Sequence, residues 1–241
     1  MKRGECLIIF LKAPIKGHVK TRLAKSIGDD HALALYKNFV KDVIGTVQSG
    51  KRCLKLFYYP SHSREMLTTW LGSDYELTPQ QGASLGERMR NAFVYVFDQG
   101  YDKAALIGTD MPDLPHFIPD EAFSRLETAD AVIGPAIDGG YYLIGFKANT
   151  FCPAVFEGVP WGSATVFKKT ILIFNKSKTK SHHLPMMQDI DDKNDLEAFI
   201  NRCADNPKAA PYTCGYLFRQ SAYFSFITQT PSQSSPGGLA L

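Results

Sequence analysis

The sequence has no apolar run that approaches the roughly 20 residues a membrane-spanning helix needs. It also has little excess charge, because 27 Lys and Arg face 24 Asp and Glu and leave a net +3 over 241 residues, too little to indicate a nucleic-acid-binding surface. The first residues carry no secretory hydrophobic segment. We therefore expect a cytoplasmic protein built as one domain, with neither a membrane nor a nucleic acid as partner.

Motifs with a fixed spacing are also missing. The sequence contains neither the GxxxxGK[ST] loop nor the GxGxxG fingerprint of two common nucleotide-binding classes. Its five cysteines are scattered and form no CxxC pair or zinc knuckle, so we assign them no metal or redox role. Cys6 and Cys53 lie in strand-like runs, where a small buried thiol is the simpler interpretation.

Apolar runs do alternate with helical patterns along the chain, which is typical of an α/β fold. The predicted strands are 6–11, 53–59, 75–77, the apolar part of 104–111, 129–136 and 141–146. The predicted helices are 29–48, 61–71, one opening within 80–90, 119–128, one from Ser163 to about residue 174, and 195–203.

The most informative segment of the chain is residues 104–111, AALIGTDM, where an apolar run ends in Thr109 and Asp110. A buried strand followed by a carboxylate puts an acid at the carboxyl end of a sheet, where ligands of open parallel sheets bind. Asp110 is therefore the first candidate for catalysis and metal binding, and Thr109 is a candidate for nucleotide binding. The alternative is that Asp110 only caps a helix or bonds to loop backbone.

A basic segment follows the first strand. Residues 12–25, KAPIKGHVKTRLAK, hold five cations and a histidine, a composition that indicates a phosphate-binding loop. Gly17 would let the backbone approach a ligand closely. The alternative is a solvated basic turn. The phosphate-binding candidates in this segment are Lys12, Pro14, Gly17, Lys20, Thr21 and Arg22.

A polar segment opens the helix predicted within 80–90. Gln81 and Gly82 would lie at its amino end, where free backbone donors and the helix dipole favour an anion, so both are candidates for nucleotide binding. Ser84 and Glu87 have the S-x-x-E spacing of a capping box, which is the interpretation we prefer for that pair.

Two further segments supply candidates for binding a sugar or an acceptor. Asp138, Gly139, Gly140 and Tyr141 lie between strand-like runs, where Asp-Gly is a strong hairpin signal. Asp138 either serves turn geometry alone or is a catalytic group and metal ligand at a sheet end, where the turn would hold the sugar or acceptor.

Trp161 and Gly162 form the second such segment and precede Ser163, a candidate helix N-cap. Trp161 is either a core anchor or a platform for a ring. Further along, the acidic residues Asp189 and Asp191 either add a metal ligand or belong to a run that caps the next helix.

Composition changes after residue 206. Residues 207–241 are rich in Pro, Ser and Gly around an aromatic stretch, a composition typical of a flexible tail. We predict instead that this extension packs on the domain of residues 1–206 or on a second subunit, which leaves a homodimer open.

The ordered motifs resemble a known family. KAPIKGHVKTRL, QGASLGERM, LIGTDMPDLP, DGGYYLIGF, WGSATVF and DIDDKNDL together resemble a bacterial glycosyltransferase-like family of the GT-A superfamily, the selenodomain-associated transferase 1 type. The resemblance covers about residues 6–199. Neighbouring families include the molybdenum-cofactor and 2-phospholactate guanylyltransferases.

The resemblance implies a nucleotide-diphospho-sugar transferase fold, a three-layer α/β/α sandwich with a mixed, mostly parallel sheet. It also implies that Asp110 holds Mg²⁺ or Mn²⁺ against a diphosphate. Many glycosyltransferases have Asp-x-Asp here, whereas this chain has Asp110 and Asp113 separated by two residues. A second ligand would then come from elsewhere, with Asp138 preferred over Asp189 or Asp191.

Three functions follow from the resemblance and the residues. The first is metal-dependent glycosyl transfer from a nucleotide diphospho-sugar to an acceptor that the sequence does not name. The second is nucleotidyl transfer from an NTP with release of pyrophosphate, which the cations of residues 12–25 suit equally well. The third is nucleotide binding without turnover, which the incomplete Asp-x-Asp permits.

Overall fold

The computed structural model describes residues 4–48 and 52–228. Within them, seven strands form one sheet in the order β3-β2-β1-β4-β6-β5-β7. The strands are β1 (Glu5–Lys12), β2 (Cys53–Tyr59), β3 (Leu77–Pro79), β4 (Lys103–Ile107), β5 (Ala131–Pro135), β6 (Tyr141–Lys147) and β7 (Ser181–His183). Neighbours pair in parallel except at β6, which runs antiparallel to β4 and β5. This is the mixed, mostly parallel sheet that was predicted.

Helices cover both faces of the sheet, as expected for a three-layer α/β/α fold. They are α1 (Thr21–Gln48), α2 (Arg64–Leu71), α3 (Leu85–Asp98), α4 (Phe117–Arg125), α5 (Val166–Lys176), α6 (Lys193–Asp205), α7 (Pro211–Arg219) and α8 (Ser221–Thr228). Because successive strand residues point to opposite faces, Leu7 and Ile9 of β1 pack with α1, α2 and α4. Ile8 and Phe10 pack on the other face with α3 and α5.

A further layer lies on the outer side of α1. Apolar side chains of α6, α7 and α8 form a third core cluster with Leu23, Ile27 and Phe39 of α1. A disulfide joins Cys203 of α6 to Cys214 of α7. The described part of the 207–241 extension thus lies on its own chain, while residues 229–241 lie outside the described residues. The domain boundary at residue 206 and the homodimer stay predictions.

The cysteine pair was missed, because two cysteines eleven residues apart match no short motif. The sequence analysis gave the cysteines no redox role, whereas the structure pairs two of them across the α6–α7 connection. Cys6 and Cys53 are the parallel partners of one another on β1 and β2, and Cys6 is fully buried.

The start of α1 was also misplaced. The helix was predicted from Asp29, but helical structure begins at Thr21 and is interrupted only at Gly28, whose φ is +73°. A glycine in the left-handed region breaks the helix without ending it. Part of the predicted basic loop is therefore the first turn of α1.

Other element boundaries differ from the predictions by a few residues, whereas the start of α3 agrees with the predicted capping box. The third strand is Leu77–Pro79 rather than 75–77, and α3 begins at Leu85 after Ser84, whose side chain accepts from the Glu87 backbone N–H as the capping box predicted. Thr165, not Ser163, precedes α5. In the part of the chain that the structure describes, we find no helix of the length and hydropathy that crossing a bilayer requires.

Candidate functional site

Two cavities lie at the edge of the sheet where β1, β2 and β4 end. The large cavity, of about 550 Å³, is lined by residues that follow β1 and β4 and by the first turn of α1. The small cavity, of about 240 Å³, is lined by the β5–β6 turn and the segment before α5. Both include Gly108, Asp110, Tyr141 and Gly162, so they form one continuous cleft.

Asp110 lies where the two cavities meet. It follows β4 by three residues, after Gly108 and the buried Thr109. Its backbone oxygen accepts a 2.9 Å hydrogen bond from the Ile190 N–H, which ties this loop to the segment preceding α6. The sequence prediction that the carboxylate after this strand faces a cleft agrees with this placement.

Lys20 connects two carboxylates in the lining of the large cavity. Its Nζ is 2.5 Å from Asp110 Oδ1 and 2.9 Å from Asp191 Oδ1. Arg22 forms a second ion pair with the other oxygen of Asp191. The Lys20 side chain is only 4% exposed, whereas that of Asp110 is 47% exposed. The buried ammonium is therefore balanced by two carboxylates, one of which remains open to ligands.

The charges of this cluster stabilise one another. Burial alone would lower the pKa of Lys20, but Asp110 and Asp191 outweigh it and raise that pKa. Burial likewise would raise the pKa of Asp191, yet Lys20 and Arg22 hold it below its ordinary value. Ion pairs in which both partners are hydrogen-bonded favour the charged forms of each. Lys20 and Asp191 therefore hold each other in their charged forms.

Asp189 adds a third carboxylate to the small cavity beside Asp110 and Asp138. Burial, together with the charges of Asp191, Asp138 and Asp110, raises the pKa of Asp189 to about 6, although Lys20 opposes the shift. The carboxylates are therefore close enough to repel one another. Such crowding is the environment that a bound cation relieves.

The Asp138 side chain stabilises the β5–β6 turn, which was one of the two interpretations of this residue. Its Oδ1 accepts a 2.8 Å hydrogen bond from the Gly140 N–H, and Gly139 has a φ of +87°. A Cβ on Gly139 would lie 2.1 Å from the Ala164 oxygen, so this glycine permits the turn to touch the segment before α5. Asp138 also lines the small cavity, and its catalytic and metal roles stay predictions.

Trp161 is packed as a core anchor, one of its two interpretations, and its role as a platform for a ligand ring stays a prediction. Its ring stacks on Phe156 with centroids 6.5 Å apart and meets Tyr141 edge to face at 6.2 Å. The same ring lines the small cavity with Gly162. Core packing therefore fixes an aromatic surface at the edge of the cleft.

Most of the predicted site residues meet in the cleft, and some do not. Those lining it are Lys12, Lys20, Thr21, Arg22, Thr109, Asp110, Asp138, Gly140, Tyr141, Trp161 and Gly162. The predicted residues that line neither cavity are Pro14, Gly17, Gln81, Gly82 and Gly139. The carbonyls of Gln81 and Gly82 accept from Asn91 and Arg88, so that segment is held by the helix it precedes.

Several residues that line the cleft were not among the candidate site residues. Arg88 lies with its guanidinium carbon 3.9 Å from the centre of the Tyr59 ring, and both line the large cavity. Gln80 lines it beside them and donates to the Phe57 carbonyl. Asp191 was weighed only as a minor alternative, because no spacing rule connects it with a lysine 171 residues earlier. Gln80 could have been predicted from its position, because it is a polar residue directly after β3.

The donor set fits a divalent cation bound together with phosphates. Among the described residues, no group of three or more His, Cys, Asp or Glu is arranged to hold a metal by itself. Mg²⁺ usually takes only one or two carboxylates when phosphates and waters supply its other ligands. Asp110 and Asp191 converge on one cation, the Lys20 ammonium, and would be the two carboxylates available to such an ion.

Comparison with known proteins places the chain in a family. Residues 44–163 match DUF2064, described as an uncharacterized protein conserved in bacteria. A crystal structure from Desulfovibrio desulfuricans G20, provisionally named a nucleotide-diphospho-sugar transferase, is 36% identical, with 94% of this chain and 99% of that chain covered and a TM-score of 0.88. The chain belongs to this DUF2064 family. The predicted family and the predicted transferase fold are thereby confirmed.

More distant structures share the fold with this DUF2064 protein. A cytidylyltransferase from Leptospira borgpetersenii serovar Hardjo-bovis is 12% identical, with 95% and 98% of the two chains covered and a TM-score of 0.54. CMP:2-keto-3-deoxy-manno-octonic acid synthetase in complex with CTP is 7% identical, with 83% and 98% covered and the same TM-score. No curated protein has significant sequence similarity to the chain.

Proposed function

We propose that this DUF2064 protein is a metal-dependent transferase that uses a nucleotide diphospho-sugar as donor. The observation that carries the proposal is the cluster of Lys20, Arg22, Asp110 and Asp191 that lines a cavity of about 550 Å³. Cations and metal-binding carboxylates in one site suit a diphosphate, whose leaving oxygen needs stabilisation as its bond breaks.

The large cavity would bind the nucleotide and its diphosphate. Lys12, Lys20 and Arg22 bring positive charge to it, and Thr21 begins α1, where backbone N–H groups lack helical partners. Asp110 with Asp191 would hold Mg²⁺ or Mn²⁺, which would neutralise charge on the leaving diphosphate. We prefer Asp191 to the predicted Asp138 as second ligand, because only Asp191 shares a cation with Asp110.

The small cavity would receive the sugar and the acceptor. Gly140, Tyr141, Trp161 and Gly162 line it with backbone and aromatic surface, and Gly139 shapes the turn beside them. In glycosyl transfer the acceptor oxygen bonds to the anomeric carbon, and the bond from that carbon to the diphosphate oxygen breaks with its electron pair. The acceptor proton would pass to Asp138, the candidate base.

Nucleotidyl transfer from an NTP is the second candidate. The specific observation in its favour is the number of cations that line the large cavity, since Arg88 joins Lys12, Lys20 and Arg22 there. The chain shares its fold with a cytidylyltransferase and with a synthetase that was crystallised with CTP. This likeness is compatible with nucleotidyl transfer, but at such low identity it concerns the fold and not the activity. Nucleotide binding without turnover is the candidate of another class.

Product analysis by mass spectrometry distinguishes the three. The purified protein is incubated with Mn²⁺ and each of a set of nucleotide sugars and NTPs. Each incubation is run with and without a mixture of simple sugar and phosphate acceptors. Release of a nucleoside diphosphate supports glycosyl transfer, and release of pyrophosphate supports nucleotidyl transfer. Metal-independent binding with no product from any donor would contradict both and favour the non-catalytic alternative.

A further inference from the structure

A protein cation occupies the position proposed for the metal. Lys20 Nζ lies between Asp110 Oδ1 and Asp191 Oδ1, at 2.5 and 2.9 Å. Asp110 and Asp191 would also be the carboxylates to hold a Mg²⁺, which approaches its oxygen ligands more closely than an ammonium does. The ammonium and the ion would then need the same space, and two cations at such separation repel strongly in a poorly solvated site.

The four charges of the Lys20, Arg22, Asp110 and Asp191 cluster balance one another without a metal, two positive against two negative. Adding a divalent ion while Lys20 stays in place would give these four groups a formal charge of +2 beside a side chain that is 4% exposed. The carboxylates of Asp138 and Asp189, which line the adjoining small cavity, would offset part of that charge. A diphosphate supplies the missing negative charge and offers the ammonium new oxygen partners.

Lys20 is placed so that its side chain can change partners while its backbone stays fixed. It directly precedes α1, and its carbonyl accepts a 2.8 Å hydrogen bond from the Ala24 N–H. Its φ of +48° is in the left-handed region. Lys20 also lines the large cavity, so rotation about its four-carbon stem would bring the ammonium to phosphates bound there.

We propose that Lys20 is an internal cation that fills the metal position until a nucleotide enters, so that metal and nucleotide bind tightly only together. The inference rests on the proposed function. Lys20 is then a positioning residue with two partners: the carboxylates in the free protein and the diphosphate in the complex. Its departure from Asp110 and Asp191 frees both carboxylates for the ion.

Manganese binding measured by electron paramagnetic resonance tests this without any assay of activity. Free Mn²⁺ is titrated with the wild type, Lys20→Met and Lys16→Met, each alone and with UDP, GDP, CDP or dTDP. Lys16 is the matched control, because it lies in the same basic segment but pairs with the exposed Asp30 at 2.7 Å. Thermal unfolding establishes that each variant is folded, and Lys20→Gln serves as a second charge-removing variant.

The wild type and Lys16→Met should bind Mn²⁺ weakly alone and at least about tenfold more tightly with one of the nucleotides. Lys20→Met should bind Mn²⁺ alone at least about tenfold more tightly than the wild type does. Tight binding of Mn²⁺ to the wild type without nucleotide would overturn the proposal whatever the variants do.

Unchanged nucleotide-free Mn²⁺ affinity in both Lys20 variants would also overturn it. The proposed function would survive that result if a nucleotide still enhanced Mn²⁺ binding to the wild type. Absence of Mn²⁺ binding to every protein, with and without every nucleotide, would instead contradict the metal-dependent function and this inference together.

Discussion

Asp110 is the residue on which the proposed chemistry depends most. It is half-exposed where the two cavities meet, and Lys20 is its ion-pair partner. We expect Asp110→Ala to abolish metal-dependent nucleotide binding while the protein stays folded, as calorimetry and circular dichroism would show. Asp30→Ala, which removes an exposed carboxylate that also pairs with a lysine, should bind nucleotide normally. Unchanged nucleotide affinity in Asp110→Ala would refute the metal assignment.

Arg22 should contribute to binding the diphosphate. Its side chain is 63% exposed at the large cavity and is anchored by Asp191. Arg22→Ala is expected to weaken nucleoside diphosphate binding by about 1.5–3 kcal/mol, the usual worth of a charged hydrogen bond. Arg125→Ala, which breaks an exposed pair with Glu121 on α4, is the control. Equal wild-type affinity for a nucleoside mono- and diphosphate would remove the reason for assigning Arg22.

Gly139 illustrates a constraint of shape at the residue scale. Gly139→Ala should destabilise the fold by more than about 2 kcal/mol, because strain at positive φ adds to the clash with the Ala164 backbone. Gly158 also has a positive φ but has nothing within 4 Å of an added Cβ, so Gly158→Ala should cost only about 1–2 kcal/mol. Equal losses in chemical denaturation would contradict the close-approach explanation.

Asp42 joins two elements that the sequence places far apart. From α1 it accepts hydrogen bonds from the Tyr212 and Thr213 N–H groups and from the Thr213 hydroxyl, at 2.9, 2.8 and 2.6 Å. It therefore caps the first turn of α7. Asp42→Ala should lower the free energy of unfolding by about 2–3 kcal/mol, since buried donors lose their acceptor. A loss below about 0.5 kcal/mol in urea denaturation would show that α7 does not depend on this cap.

The same residue should give stability a pH dependence. Burial raises the pKa of Asp42 above its ordinary value, although its hydrogen bonds oppose the shift. The folded state then binds the proton more tightly than the unfolded chain does, so this contribution to stability falls as pH rises from the ordinary pKa through the raised one. The stability difference between wild type and Asp42→Ala should therefore shrink as the pH rises above about 4, the ordinary pKa of an aspartate. A constant or growing difference would contradict this.

At the element scale, long buried segments were predictable and short or interrupted ones were not. The runs of β1, β2, β5 and β6 are apolar because both faces of the sheet are covered. The three-residue β3 carries too little pattern to fix its position. The first turn of α1 was read as a loop, because its basic residues and the break at Gly28 hide the helical period.

At the scale of the whole molecule, a site residue could be predicted only where a charged side chain comes soon after a strand in the sequence. Asp110 and Lys20 were found because they come soon after β4 and β1. Asp191 reaches them because α6 packs on α1, through Leu196 and Phe199 against Leu23 and Phe39. That packing has no local signal in the sequence. The Cys203–Cys214 disulfide belongs to the same layer and was missed for the same reason.

Calorimetric titration of the purified protein with UDP, GDP, CDP, dTDP, GTP and CTP, each with and without Mn²⁺, tests the central claim most directly. The arrangement of Lys20, Arg22, Asp110 and Asp191 predicts Mn²⁺-dependent binding of one nucleoside diphosphate, which would also identify the base of the donor. Tighter binding of a triphosphate would favour nucleotidyl transfer instead. Absence of binding to every nucleotide, with and without Mn²⁺, would contradict the account.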